Sequence, residues 1–212
     1  MVDERPAAGE EKRFLKKPAK EAMPFYISGR KGRINMELKG SKTEQNLITA
    51  FAGESQARNK YAMFAGAAKK EGYEQIAGIF QTTADNEYAH AKIWLKELSG
   101  IQDVKQNLAV AAAGENSEWT QMYPEFAQVA KEEGFDHIAW LFEHVGEIEK
   151  EHEERFKRTL ENVEQNKVFT KDGNAIWICR NCGYIHKGPA APEICPVCAH
   201  PKAYFEVFHQ LP

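Results

Sequence analysis

The chain has no run of about 18 apolar residues, so no segment is expected to cross a membrane as a helix. It has no large excess of either charge. The 28 Lys and Arg residues stand against 31 Asp and Glu, and the net charge of −3 gives no reason to expect a nucleic-acid partner. Residues 1–35 lack the apolar core of a secretory signal and carry Lys, Arg and Pro among scattered acids. They read as a mostly irregular extension, with an arm packing on a neighbouring subunit as the alternative and Met36 as an alternative start. Cysteine is scarce: there are only four, all between positions 179 and 198. Four free thiols without a secretion signal fit a reducing cytosol, so a cytoplasmic location is expected. The 212 residues suffice for one domain with a full core and a second, smaller one.

The four cysteines, Cys179, Cys182, Cys195 and Cys198, follow the pattern C-x2-C-x12-C-x2-C. Each Cys-x-x-Cys makes a tight knuckle, and two knuckles close a tetrahedral four-sulfur metal site. The stretch after Asn174 is too short to hold a core without such a staple. Spacing alone favours zinc, and a plain zinc ribbon is the simplest alternative. The aromatic dressing of Trp177, Tyr184, Tyr204 and Phe205 moves the balance to iron.

Residues 41–165 read as long amphipathic helices, expected at about 41–71, 73–99, 105–133 and 135–164. Ser41 and Asp103 are start signals, and Gly72 and Gly134 stop signals. AKKEGYEQIAGIF (68–80) matches AKEEGFDHIAWLF (130–142) at seven of thirteen positions, an offset of 62. That offset carries Glu87 onto Glu149 and His90 onto His152. It carries Glu54 to one residue beyond Glu115, so the two halves differ by a single insertion.

The repeated unit has the form of a metal site. Glu87 and His90, like Glu149 and His152, are three apart and share a helix face. Lone Glu54 and Glu115 precede them by 33 and 34 residues. These groups, with Glu118, fall within apolar stripes: Ile138, Leu141, Phe142, Val145 and Ile148 lead to Glu149 and His152. Five carboxylates in a core cannot stay ionised without cations, and a carboxylate–imidazole set on four helices suits a pair of irons. Glu143, Glu147, Glu151, Glu153 and Glu154 read instead as solvated acids. Pro124 interrupts the third helix and predicts a kink just past Glu118.

The link between the second and third helices is short. If those helices run parallel, eight extended residues reach about 26–29 Å where about 30 Å is needed. Exchange of hairpins between two chains would resolve this, and an antiparallel short-loop bundle is the alternative.

FAGESQARNKY (51–61), AAGENSEWTQMYP (112–124) and CRNCGYIHKGPAAPEICPVCAHPKAYFE (179–206) resemble the rubrerythrin family, over roughly residues 37–208. The resemblance implies an all-α four-helix ferritin-like bundle with a small C-terminal rubredoxin-like, metal-bound, β-rich domain. The expected division is an extension over 1–36, the bundle over 37–165, a linker over 166–174 and the tail over 175–212. It implies two irons in the bundle and one iron on the four cysteines, with zinc as the substitute. Glu87 and Glu149 would bridge, Glu54 would be terminal on one iron, and Glu115 and His152 terminal on the other. Glu118 matches an additional ligand that exchanges with His90, and Tyr61 and Tyr123 match tyrosines close to the centre.

The implied activity is reduction of hydrogen peroxide to water. Electrons would come from NAD(P)H through a separate reductase, enter at the four-cysteine iron and pass to the bundle of a partner subunit in a homodimer or larger homo-oligomer. Three rivals stand beside it. A ferroxidase or iron-storage protein would use the same ligands, but storage needs no electron inlet. An oxidase would act on dioxygen, and a non-enzymatic zinc-ribbon protein would only bind a partner.

Overall fold

The computed structural model describes residues 37–208, and the extension expected over residues 1–36 lies outside the described residues. Residues 37–41, in which the Ser41 amide donates to Leu38 O at 3.0 Å, belong to a first unit; Lys42–Pro212 form the second. In the second unit the helices are α1 (Lys42–Lys70), α2 (Glu74–Glu97), α3 (Val104–Ser117), α4 (Tyr123–Glu132) and α5 (Asp136–Glu164). A π-helical segment, Glu118–Met122, joins α3 to α4. None of these helices is long and apolar enough to cross a membrane.

The helix ends follow the local chemistry. Gly72 and Gly134 stand at φ +85° and +81°, a left-handed conformation that only glycine adopts without strain. Tyr73 N–H donates to Ala68 O at 2.9 Å, and Phe135 N–H to Ala130 O at 2.8 Å, closing both turns the same way. The Asp103 carboxylate accepts from the Gln106 amide at 2.9 Å and caps α3.

The chain folds as two helical hairpins. α1 packs on α2, and α3 and α4 pack on α5; among the described residues, no helix of the first hairpin makes more than marginal contact with the second. The repeat seen in the sequence is present in space. Phe64 meets Phe80 and Phe126 meets Phe142 with ring centroids 5.6 Å apart in both hairpins. Ala65 and Ala127, Ala68 and Ala130, and Ala77 and Ala139 are buried as corresponding pairs. Small residues on these seams let the two helix backbones approach closely.

The burial on α5 corrects one expectation. Ile138, Leu141 and Ile148, expected to face a core, are exposed in the chain. The buried positions are Ala139, Gly146 and Glu153, seven apart, which face α3 and α4. The larger apolar stripe is left without cover by this chain's own first hairpin.

The single insertion between the halves takes the form of the π segment. Glu54 to Tyr61 spans seven residues, whereas Glu115 to Tyr123 spans eight. A π turn is what one extra residue makes inside an α-helix. The Tyr123 amide bonds to Glu118 O, the five-residue spacing of a π turn. Pro124 has no N–H to donate and stands just beyond it. The kink expected past Glu118 is therefore a local widening that ends at Tyr123.

After α5, three antiparallel strands form the tail: β1 (Thr170–Cys179), β2 (Ile185–Ala190) and β3 (Phe205–Val207), in the order β2-β1-β3. β1 starts five residues ahead of the expected tail boundary at 175. Its core is Trp177, Cys179, Ala191, Cys195 and Phe205. The Trp177 indole N–H donates to Gly188 O at 3.0 Å, so its one polar atom is satisfied inside.

Candidate metal centre

Each hairpin assembles half of a ligand set. In the first, Glu54 of α1 meets Glu87 and His90 of α2, with one potential ligand atom from each within 4.8 Å of the others. His90 Nδ1 lies 2.9 Å from Glu87 Oε2 and 4.0 Å from Glu54 Oε2. In the second, Glu115 of α3 meets Glu149 and His152 of α5, again within 4.8 Å. His152 Nδ1 lies 2.6 Å from Glu149 Oε2. The three-residue spacing on α2 and α5 produces both pairs, as the helix period requires. The residues named from the sequence thus do come together, but as two groups of three rather than at one point. The reason is the separation of the hairpins within the chain.

Burial grades the carboxylates. The Glu87 and Glu149 side chains keep 17% and 15% of their exposure, whereas His90 keeps 51%. Around the second trio carboxylates crowd one another, and only His152 opposes them at Glu115. Burial raises the Glu115 carboxyl above the usual range, and the Glu149 and Glu118 carboxylates raise it further. Burial, then Glu118, Glu149 and Glu115, likewise raises the Tyr123 phenol. Like-charged oxygens forced together in this way fit a cation, which would neutralise them. Glu118 is not one of the trio, but its charge acts on both Glu115 and Tyr123. Tyr61 packs against Phe64 and Phe80, with ring centroids 6.3 and 6.2 Å away. Tyr123 holds the corresponding place against Phe142 at 6.1 Å.

Sequence reasoning missed Glu153. Expected to be a solvated acid, it is buried at 4% exposure. Its carboxylate accepts from Asn116 Nδ2 at 3.0 and 3.2 Å and from Trp119 Nε1 at 2.5 Å, and it pairs with Lys157. The bond from Lys157, then those from Trp119 and Asn116, lower its pKa to about 2. The signal that could have found it is the stripe Ala139, Gly146, Glu153, which places an acid on the seam of a hairpin. Gly146 has its own reason there: a Cβ on it would lie 3.3 Å from Tyr123 Cβ.

The four cysteines form the third cluster, with all sulfurs within 4.8 Å of one another. Cys179 and Cys195 are buried, and Cys182 is exposed. The His200 amide bonds to the Cys198 sulfur and chiefly lowers that thiol to about 6. The Tyr184 amide pulls Cys182 down in the same way, but Cys198, burial and the other sulfurs together push it up to about 12. Four sulfurs this close cannot all carry charge alone, and a tetrahedral cation fits them. The two knuckles differ at the residue that follows the second cysteine. Gly183 follows Cys182 at φ +77°, whereas Ala199 follows Cys198 at φ +59°. Ala199→Gly should therefore stabilise the metal-loaded tail by about 1 kcal/mol, read as a higher denaturant midpoint at an unchanged slope.

A family profile described as Rubrerythrin matches residues 45–160, and one described as Rubrerythrin, rubredoxin-like domain matches residues 177–206. A rubrerythrin of Porphyromonas gingivalis is 50% identical over 190 residues, covering 84% of this chain and 95% of that protein. A rubrerythrin of Nitratidesulfovibrio vulgaris is 50% identical over 183 residues, covering 80% of this chain and 96% of that protein. A solved structure of nigerythrin in its fully reduced, all-ferrous state is 32% identical, covering 83% of this chain and 91% of that one, with a TM-score of 0.31.

Proposed function

This chain belongs to the rubrerythrin family, and from that premise we propose that it is a non-haem di-iron peroxidase that reduces hydrogen peroxide to water. The observation that carries the reading is the pair of matched Glu–Glu–His trios on one chain with a four-cysteine site. Glu54, Glu87 and His90 would hold one side of the di-iron centre, and Glu115, Glu149 and His152 the other. Glu87 and Glu149, each three residues before its histidine, are the bridging candidates. When bound, two irons would supply electrons for O–O cleavage, and an iron on the four cysteines would supply electron transfer.

The chain's own groups serve the protons and the positions. Reduction of one peroxide to two waters takes two electrons and two protons. Tyr123, raised by burial and by three carboxylates, keeps its proton and stands beside them as a donor. Glu118, at the start of the π segment, and half-exposed His90 would serve as alternative ligands, one from each half of the centre. The exposed Cys182 gives the tail an edge at which a reductase drawing on NAD(P)H can deliver electrons.

The complete centre would join trios from two chains. The segments Glu87–Glu97 and Val104–Glu115 span about 15 and 16 Å of helix. A parallel bundle within one chain would need the link to return about 31 Å, and its seven peptide steps reach only about 23–25 Å. The link is also turned rather than extended, with Gly100 N–H bonded to Leu95 O at 2.8 Å. A homodimer with exchanged hairpins would let the link keep its turn and would cover the exposed stripe of α5.

The test is anaerobic reduction of the iron-loaded protein followed by stoichiometric peroxide or by dioxygen. Peroxide should reoxidise it faster, and the di-iron band should recover ahead of the four-cysteine band. Faster reoxidation by dioxygen, or steady accumulation of ferric mineral from added Fe(II), would overturn the peroxidase reading.

A further inference from the structure

Glu153 does more than fill a seam. Three of the four candidate ligands of the second half-site are Glu115, Glu118 and His152. Each is followed in the chain by a residue of one hydrogen-bonded cluster: Asn116, Trp119 and Glu153 itself. Asn116 and Trp119 reach across from α3 and the π segment, 37 and 34 residues away, to the same carboxylate. The two donors flank Glu118. In the first hairpin the repeat puts Ala91 at the place of Glu153, and an alanine side chain can accept nothing.

A π turn is one residue too many for an α-helix, and that residue can in principle be taken up at any turn. Pro124 blocks it on the C-terminal side, because no amide there can bond back. On the N-terminal side the cluster supplies the fix. Sliding the widening toward α3 would rotate Trp119 away from an acceptor it meets at 2.5 Å. The half-buried Trp119 indole would give up a short bond to a buried carboxylate, so the position of the π turn is set by side-chain bonding.

We propose that Glu153 is a positioning residue of the second half-site. It holds the π turn between Asn116 and Pro124 and so fixes where Glu118 meets the di-iron centre. The inference rests on the ligand reading given above. It adds an asymmetry: the Glu115–Glu118–His152 side is clamped, whereas among the described residues the Glu54–Glu87–His90 side has Ala91 at the corresponding place.

The test uses the full chain with its tail loaded and measures anaerobic Fe(II) binding to the bundle against a chelator. Glu153→Ala should weaken one of the two bundle sites by about 10–100-fold, the usual effect of removing a group that orients metal ligands. Glu153→Gln keeps an acceptor oxygen and should recover most of that loss. The Trp119 indole N–H resonance should move with Glu153→Ala and stay near its place with Glu153→Gln. If the alanine variant loses its helical signal, Trp119→Phe carries the test, since it deletes one donor and keeps a ring; it should weaken the same site severalfold. Unchanged Fe(II) binding in both the alanine and the phenylalanine variants would overturn the proposal while leaving the ligand reading standing. Failure of the unsubstituted chain to bind two bundle irons would instead bring down the ligand reading, and this inference with it.

Discussion

Substituting Cys195 by serine leaves the tail without a fold, while the helices stay intact. The tail core consists of five buried residues, two of which, Cys179 and Cys195, are themselves metal ligands. With so little apolar surface to bury, metal binding supplies most of the folding free energy. For structural zinc in comparably small domains that term is about 10–16 kcal/mol. Serine cannot replace a thiolate, and a three-sulfur site with one buried hydroxyl is a poor tetrahedron. Hydrogen exchange should show amide protection lost across β1, β2 and β3 and retained across α1 to α5. The visible absorption of a ferric four-sulfur site should vanish with it. NAD(P)H-linked peroxide turnover should fall to background, whereas the chemically reduced bundle should still be reoxidised by peroxide. Protected strands in the serine variant would show that the sheet stands without its metal.

Much of this was legible in the chain because it depends on spacing. Glu-x-x-His places two ligands on one helix face whatever surrounds it. The offset of 62 residues predicted that the second hairpin would repeat the first, and the paired aromatic contacts at 5.6 Å bear this out. C-x2-C-x12-C-x2-C determined the sulfur cluster before any strand was placed. The one-residue slip between Glu54 and Glu115 was also readable. Its form was not: an insertion can enter a loop, a kink or a π turn, and only packing against α5 selects among them. Glu153 was hidden for a related reason. It lies in an acid-rich run beside His152, and its donors lie more than thirty residues away, so only its seven-residue spacing from Ala139 and Gly146 separates it from Glu151 or Glu154. The division of the ligands into two trios is of the same kind. Helical periodicity says which residues share a face, but not which hairpin that face meets.

The pairing of hairpins can be decided by complementation. One variant carries Glu54→Ala and Glu87→Ala; a second carries Glu115→Ala and Glu149→Ala. Each alone should have no detectable peroxide reduction at the di-iron centre, because each lacks a bridging candidate and a terminal one. Mixed by unfolding and refolding together, the two chains can pair. If a centre takes its first trio from one chain and its second from the partner, a mixed dimer has one centre with every ligand intact and one that lacks all four substituted carboxylates. Random pairing should then restore about one quarter of the wild-type activity, since about half the dimers are mixed and each holds one working centre of two. If both trios of a centre came from the same chain, every centre in the mixture would lack two of its carboxylates and the activity would stay at zero. A mixture of two variants both altered at Glu54 and Glu87 controls for refolding and should restore nothing. The exposed stripe of Ile138, Leu141 and Ile148 gives a second handle on the same question. Leu141→Lys would place an unpaired charge in the buried face between exchanged hairpins, at a cost of several kcal/mol. It should yield monomers with folded hairpins, an intact four-cysteine site and no di-iron binding. A dimer that survives Leu141→Lys, together with a mixture that never regains activity, would place both trios of each centre on one chain.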